Sequence, residues 1–188
     1  MASGARLLDN DLLDEFEAVL KARRIGIFEA WAPGLTDDDI DEIIAGSDLL
    51  LPEEVRVWWR RHNGRRQEIR RPGTWALVPG REPLSLQDVV RSYKDIGADD
   101  QRLPIVHNRP QILVECRHAG DVPAPVYWDR YDDFVRPELA APSLGDLLLV
   151  WISYIERGVY AANPEGGWAA DQPLLDEPPP DVVQRGLW

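Results

Sequence analysis

Residues 51–64 have the most regular pattern of hydrophobic and polar positions in the chain. The apolar or aromatic side chains recur at the i, i+3, i+4 and i+7 spacing of one helix face: Val55, Trp58, Trp59 and His62. The arginines of the segment face away from this stripe: Arg56, Arg60 and Arg61. Pro52 suits the first helical position and Gly64 the C-terminal end. The pattern predicts a helix that buries two adjacent tryptophans, around which the other elements pack, with a structural His62.

Four further helices are predicted from periodicity and capping residues. The first covers residues 10–24, which place leucines, a phenylalanine and a valine on one face. The others begin at Thr36, Ser85 and Ser143, each of which is followed three residues later by an aspartate that can complete a capping box. The last of these helices is strongly apolar, and we expect it to pack against a sheet.

Short apolar runs between turn residues predict β-strands at 75–78, 103–106, 112–116 and 126–128. The last three are expected to pair in sequence as an antiparallel meander. Ile112, Val114 and Cys116 point to one side of their strand, so Cys116 is predicted to be an unreactive core residue.

The length of 188 residues fits one domain with a substantial core. We predict a domain over residues 1–160 and a Pro/Gly-rich C-terminal tail, residues 161–188, which docks on the domain through tryptophan and leucine side chains. The residues predicted to form the centre of the core are Trp31, Val55, Trp58, Trp59, Leu147 and Trp151.

The chain is strongly acidic, with 33 Asp and Glu against 21 Lys and Arg and a net charge of −12. This charge opposes nonspecific binding to nucleic acid or to an anionic membrane and attracts a basic partner. Between residues 56 and 71, however, seven arginines accompany a single acid. We expect acids elsewhere in the fold to neutralise them; an RNA-binding patch is the alternative, but the segment lacks interleaved exposed aromatics. Without a membrane segment, a secretory signal or a second cysteine, the chain is expected to be cytoplasmic.

Few residues indicate catalysis or metal binding. Cys116 and His118 fall short of the three or four ligands of a metal site, so neither a metal nor a cofactor is expected. A small hydrolase remains an alternative, with acids from Asp129, Asp132 and Asp133 and a histidine from His62, His107 or His118. No nucleophile-elbow, P-loop or zinc-protease motif accompanies these residues, so we expect a protein that is not an enzyme.

Several motifs in order resemble the SUKH superfamily, which includes fungal cell-wall regulators and bacterial immunity proteins. The motifs are Trp31-Ala32-Pro33-Gly34-Leu35, Leu51-Pro52 leading to Trp58-Trp59 and His62-Asn63-Gly64, Leu84-Ser85-Leu86, Leu103-Pro104-Ile105-Val106, the strand from Ile112 to Glu115, Pro125-Val126-Tyr127, and Ala141-Pro142-Ser143-Leu144. The chain departs from the family pattern at residues 107–110 and at Glu115-Cys116. The resemblance spans residues 12–160 and implies an α+β domain, with a mostly antiparallel sheet and packed helices, that binds a protein.

The resemblance and the charge together favour an immunity protein that blocks a cognate bacterial toxin, most often a nuclease in this superfamily. A regulatory or scaffolding domain that binds a signalling or cell-wall protein is the second hypothesis. No direct contact with nucleic acid or membrane is expected. Acids in irregular stretches adapt best to a partner surface. The predicted partner-binding residues are therefore Asp99, Asp100, Asp129, Asp132 and Asp133.

Overall fold

The computed structural model describes residues 4–66, 76–96, 101–107, 111–129 and 137–169. Five α-helices lie in these ranges: α1 (Asn10–Ala22), α2 (Asp37–Ile44), α3 (Glu53–Arg61), α4 (Leu86–Ile96) and α5 (Leu144–Glu156). The strands are β1 (Trp31–Pro33), β2 (Leu50–Pro52), β3 (His62–Arg65), β4 (Glu82–Pro83), β5 (Arg102–His107), β6 (Gln111–Glu115), β7 (Arg117–Gly120), β8 (Val126–Asp129) and β9 (Glu138–Ala141). A short 3-10 helix, Gly26–Glu29, precedes β1. The fold is α+β, as predicted.

The largest sheet has five antiparallel strands in the order β4-β5-β6-β8-β9. Its centre is the predicted meander, in which Val114 of β6 lies opposite Leu103 on one side and Val126 on the other. The three strands thus pair in sequence, which confirms the prediction, although β7 intervenes in the chain and pairs in parallel with β2 instead. β1 and β3 form a third, two-stranded sheet.

α3 is one turn shorter than predicted. Its first turn carries Glu53 and Glu54 and its last turn Arg60 and Arg61, which matches the charge preference of the helix dipole. His62 is already extended and begins β3, where it lies opposite Pro33 of β1. Pairing with β1 therefore ends the helix. Gly64 has a φ of +73° within that strand, and an added Cβ would lie 2.6 Å from the backbone nitrogen of Ser85.

The predicted capping box is confirmed for α2, and for α5 the predicted N-cap residue is confirmed without the reciprocal bond of a box. The hydroxyls of Thr36 and Ser143 accept hydrogen bonds from the backbone N–H of Asp39 and Asp146. The strand predicted at 75–78 is wrong for its three described residues, because only Val78 forms a bridge, with Arg81 across a tight turn. The pairing strand on this side of the sheet is β4, which follows that turn.

The core lies between the large sheet and the helices. All six residues predicted at its centre are buried: Trp31, Val55, Trp58, Trp59, Leu147 and Trp151. Residues 161–169 pack on it, since Trp168 is buried and donates its indole N–H to the carbonyl of Ala76 at 2.8 Å. The rest of the predicted tail, including Leu174 and Trp188, lies outside the described residues. No helix in the described ranges has the length and apolar character needed to cross a bilayer.

Candidate partner-binding surface

The arginines of α3 are engaged by acids from neighbouring helices. Arg56 forms ion pairs with Asp37 at 3.2 Å and with Asp41, both in α2. Arg60 also binds Asp37, at 3.0 Å, and reaches back to Glu53 in its own first turn. The charge of both arginines stabilises the ionised carboxylate, so the pKa of Asp37 lies below its usual value; hydrogen bonding to Arg60 is the larger cause. Acids of α2 thus pair with the arginines of α3.

Arg61 turns to the other side of α3 and binds α1. Its Nε lies 2.6 Å from Oε1 of Glu17, and its terminal nitrogen lies 2.6 Å from Asp14. The Nε2 of His62 shares the same Glu17 oxygen at 3.1 Å, and the imidazole packs on Trp31 with ring centroids 3.8 Å apart. Burial alone would raise the pKa of Glu17, but Arg61 and His62 together lower it. Burial lowers the pKa of His62, against the opposing effect of Glu17.

Through these ion pairs, acids of α1 and α2 neutralise the arginines of α3. Four exposed carboxylates on the flanking helices form no ion pair with any described residue: Asp11 and Glu15 in α1, and Asp38 and Glu42 in α2. The surface around α3 is therefore acidic rather than basic, which removes the support for an RNA-binding patch at Arg56, Arg60 and Arg61.

Of the five predicted partner-binding acids, the structure describes only Asp129. The prediction that Asp129 lies in an irregular stretch is wrong, because it is half-buried at the end of β8 and pairs with Gln111 of β6. Asp99, Asp100, Asp132 and Asp133 lie outside the described residues.

The residues of the hydrolase alternative are divided among different sheets. His62 is in β3, where its Nε2 contacts Glu17. His107 is in β5 of the large sheet, opposite Glu82. His118 is exposed in β7, which pairs with β2 in a separate sheet. Asp129 is the one acid of that set that the structure describes. No constellation of a nucleophile, a base and an orienting acid is formed by the described members of this set.

Cys116 is buried, and burial raises the pKa of its thiol, which opposes formation of the reactive thiolate. Its Sγ lies 3.6 Å from the carbonyl oxygen of Val114. The neighbouring His118 is exposed, and the described part of the chain contains no group of three or more potential metal ligands.

Glu54 has a role that the sequence pattern did not reveal. Only 2% of its surface is exposed, and its carboxylate accepts backbone N–H groups from Leu8 at 3.0 Å, from Gly145 at 3.1 Å and from Ala124. Burial raises the pKa of this carboxyl, while the backbone donors act in the opposite direction. Glu54 thus joins the N-terminal segment, the loop before β8 and the start of α5. Its sequence signal, an acid in the first turn of a helix, is equally typical of exposed residues.

The N-terminal segment is also fixed directly on α5. The hydroxyl of Ser143 donates to the carbonyl of Arg6 at 2.6 Å, and the N–H of Arg6 lies 3.3 Å from the carboxylate of Asp146. A Cβ on Gly145 would lie 2.2 Å from that same Arg6 carbonyl, so only glycine permits this crossing. Beside it, residues 5–10, one side of α3 and Asp121 line a surface groove of about 540 Å³.

No model of a known protein family matches the sequence, and no curated protein is significantly similar to it.

Proposed function

We propose that the chain is a cytoplasmic, non-enzymatic binding domain that blocks a basic protein toxin by covering its active surface. The resemblance of its ordered motifs to the SUKH superfamily suggests this class, and a toxin nuclease is the proposed partner. The α+β fold with a mostly antiparallel sheet is compatible with the resemblance.

The observation that carries the proposal is the pairing of the α3 arginines with the chain's own acids. Arg56, Arg60 and Arg61 are neutralised by acids of the same chain. The net charge of −12 therefore comes from carboxylates that do not pair with an arginine or lysine of the chain. Such a surface accelerates encounter with a positively charged protein through long-range attraction.

A nuclease is the class of partner that this charge fits best. Nucleases approach a phosphate backbone and are therefore commonly basic around the active site. An acidic protein bound there competes with the nucleic acid for the same cationic groups. Inhibition by occlusion needs no catalytic residue in the inhibitor, which agrees with the dispersed histidines and the buried thiol described above.

The proposal places the contact with the partner on three acids selected from the sequence, Asp129, Asp132 and Asp133, and exposed acids of the helices provide a comparison of equal charge. One triple variant replaces Asp129, Asp132 and Asp133 by Asn, and a second replaces three helix-face acids, Asp11, Glu15 and Asp38, by their amides. Each variant removes three negative charges, so differences between them report position rather than total charge.

The experiment measures association and dissociation rates with the protein encoded beside this chain's gene, at low and high salt, together with nuclease activity of that protein. We expect inhibition by the wild type, an association rate that falls with salt, and a larger loss for the variant at Asp129, Asp132 and Asp133 than for the helix variant. Equal decreases of the association rate in both variants would show that total charge, and not the position of the acids, determines binding. Binding unaffected by salt and by both variants would refute the electrostatic proposal.

A substrate panel tests the absence of catalysis independently. The purified chain is assayed on hydrolase and nuclease substrates with and without divalent metal. Sustained turnover that scales with protein concentration would overturn the proposal in favour of the hydrolase alternative. Binding to a signalling or cell-wall protein, without inhibition of any toxin, would favour the regulatory alternative.

A further inference from the structure

The five-stranded sheet has two faces of different character. On the side of the core, the side chains of Leu103, Ile112, Val114 and Val126 are completely buried. Successive side chains of a strand point to opposite sides of a sheet. The residues that alternate with these four therefore form a second face, which we call the outer face.

Four outer-face residues form a row across four adjacent strands. Leu113 of β6 lies opposite Pro104 of β5 on one side and opposite Tyr127 of β8 on the other. Tyr127 in turn lies opposite Leu139 of β9, the last strand of the sheet. Neighbouring strands are about 4.8 Å apart, so the row is about 14 Å long. Exposure increases towards the sheet edge: Leu113 is 8% exposed, Tyr127 is half-buried and Leu139 is 58% exposed.

Leu139 differs from the other large apolar side chain that is exposed in the described ranges. That side chain is Leu50, which is 50% exposed and lies opposite Arg117 in the two-stranded sheet of β2 and β7. Single exposed leucines are common on protein surfaces, whereas an apolar patch with a polar rim marks a site of protein interaction. Leu139 continues an apolar row and Leu50 does not.

Two contacts hold the side chain of Tyr127 in the row. Its hydroxyl donates to the carboxylate of Glu115 at 3.3 Å, and the guanidinium carbon of Arg102 lies 4.0 Å from the ring centroid. Tyrosine and arginine are among the residue types that contribute most to binding energy at protein interfaces. A side chain that is already ordered also loses less conformational entropy when a partner binds.

Acids outnumber bases beside the row. The charged residues two positions from a member of the row in the same strand are Arg102, Glu115 and Asp129. Residues two apart in a strand share a face, so two carboxylates and one guanidinium lie next to the apolar row. This is the arrangement of a protein interface, which has an apolar centre and a polar rim.

We propose that the outer face around Tyr127 and Leu139 is the docking surface for the basic protein partner, an inference that rests on the proposed function. The excess of carboxylates in the rim complements lysines and arginines around an apolar contact on the partner. A second copy of this chain fits the face less well, because each copy has a net charge of −12 and the two would repel each other.

The variants Leu139→Thr and Leu50→Thr test the proposal as a matched pair. Each replaces an exposed strand leucine by a β-branched polar residue and leaves the charge unchanged. Calorimetry measures binding of each variant to the protein encoded beside this chain's gene. We expect the Kd of Leu139→Thr to rise about tenfold, which corresponds to about 1.4 kcal/mol. The Kd of Leu50→Thr should equal that of the wild type.

Hydroxyl-radical footprinting of the wild type, free and with the same partner, gives a second readout that needs no variant. Tyr127 and Leu139 should become protected from oxidation on binding, and Leu50 should not. If the wild type binds, but Leu139→Thr binds equally well and Leu139 stays unprotected, the docking surface is overturned and the proposed function stands. Absence of wild-type binding would overturn both. A wild-type homodimer that Leu139→Thr dissociates would assign the face to a second copy and also overturn the proposal.

Discussion

Replacing Glu54 by Gln changes one oxygen of a buried carboxylate into an NH₂ group and leaves the shape almost the same. The carboxylate accepts N–H groups at both oxygens, from Leu8 and Gly145 at Oε2 and from Ala124 at Oε1. Glutamine offers one acceptor oxygen, so its amide hydrogens must face at least one backbone donor. Three segments that are distant in sequence lose part of their common attachment.

The expected loss of stability follows from these contacts. A buried backbone N–H without its acceptor costs about 1 to 3 kcal/mol. The two remaining hydrogen bonds change from charge-assisted to neutral, a loss of about 1 kcal/mol each. Relief of the carboxylate's desolvation, the cause that raises the pKa of Glu54, offsets part of this. We therefore expect a decrease of about 2 to 4 kcal/mol in the free energy of unfolding.

Urea unfolding at neutral pH measures this decrease, with Glu53→Gln as the control. Glu53 precedes Glu54 in the same helical turn and has the same charge, but its side chain is 41% exposed and pairs with Arg60. An exposed pair of this kind contributes at most about 1 kcal/mol. Equal losses in the two variants would show that the helix dipole, and not the buried attachment, explains the role of Glu54.

Three further predictions concern the core and its titrating groups. Trp58→Ala or Trp59→Ala should lower stability by ~3 to 5 kcal/mol, because each removes a buried indole; melting within a few degrees of wild type in both would contradict the organising role of α3. Cys116→Ala should bind the partner like the wild type with only a modest loss of stability, and elemental analysis should find no stoichiometric zinc. Burial lowers the pKa of His62 below its ordinary 6.5, so the unfolded chain binds more protons just below that pH, and stability should fall as the pH drops through 6.5. Thermal unfolding of wild type and His62→Gln between pH 8 and 5 measures this, and an unchanged difference between them would refute it.

The parts of the fold that could be predicted from the sequence are those with local causes. The capping box at Thr36 and the N-cap hydroxyl of Ser143 act within four residues, and the apolar periodicity of α5 depends only on its own sequence. The end of α3 depends on a distant strand. His62 continues the helical spacing of the tryptophans, but pairing of His62 with Pro33 of β1 overrides that local preference. Single-sequence periodicity contains no information about this partner.

For the candidate surface, the sequence predicted the total charge but not which charged residues pair with each other. The arginine-rich segment was expected to be neutralised within the fold, and the three arginines of α3 pair with acids, whereas the exposed Arg66 donates its Nε–H to the backbone carbonyl of Trp31. The identity of the partners, such as Asp14 and Glu17 for Arg61, required the positions of α1 and α2 around α3. The burial of Glu54 could not be predicted either. Its neighbour Glu53 is also a glutamate in the first turn of α3, but its side chain remains partly exposed.

The difference between paired and unpaired carboxylates also indicates which acids can be replaced without loss of the fold. Glu17 and Asp37 each hold arginines or the histidine at the border of α3, so their replacement alters contacts between helices as well as charge. Asp38 and Glu42 lie on the same acidic helix as Asp37 but form no described ion pair, so their charges can vary with little effect on the fold. The paired acids thus connect α1 and α2 to α3, whereas the unpaired ones contribute charge without holding helices together.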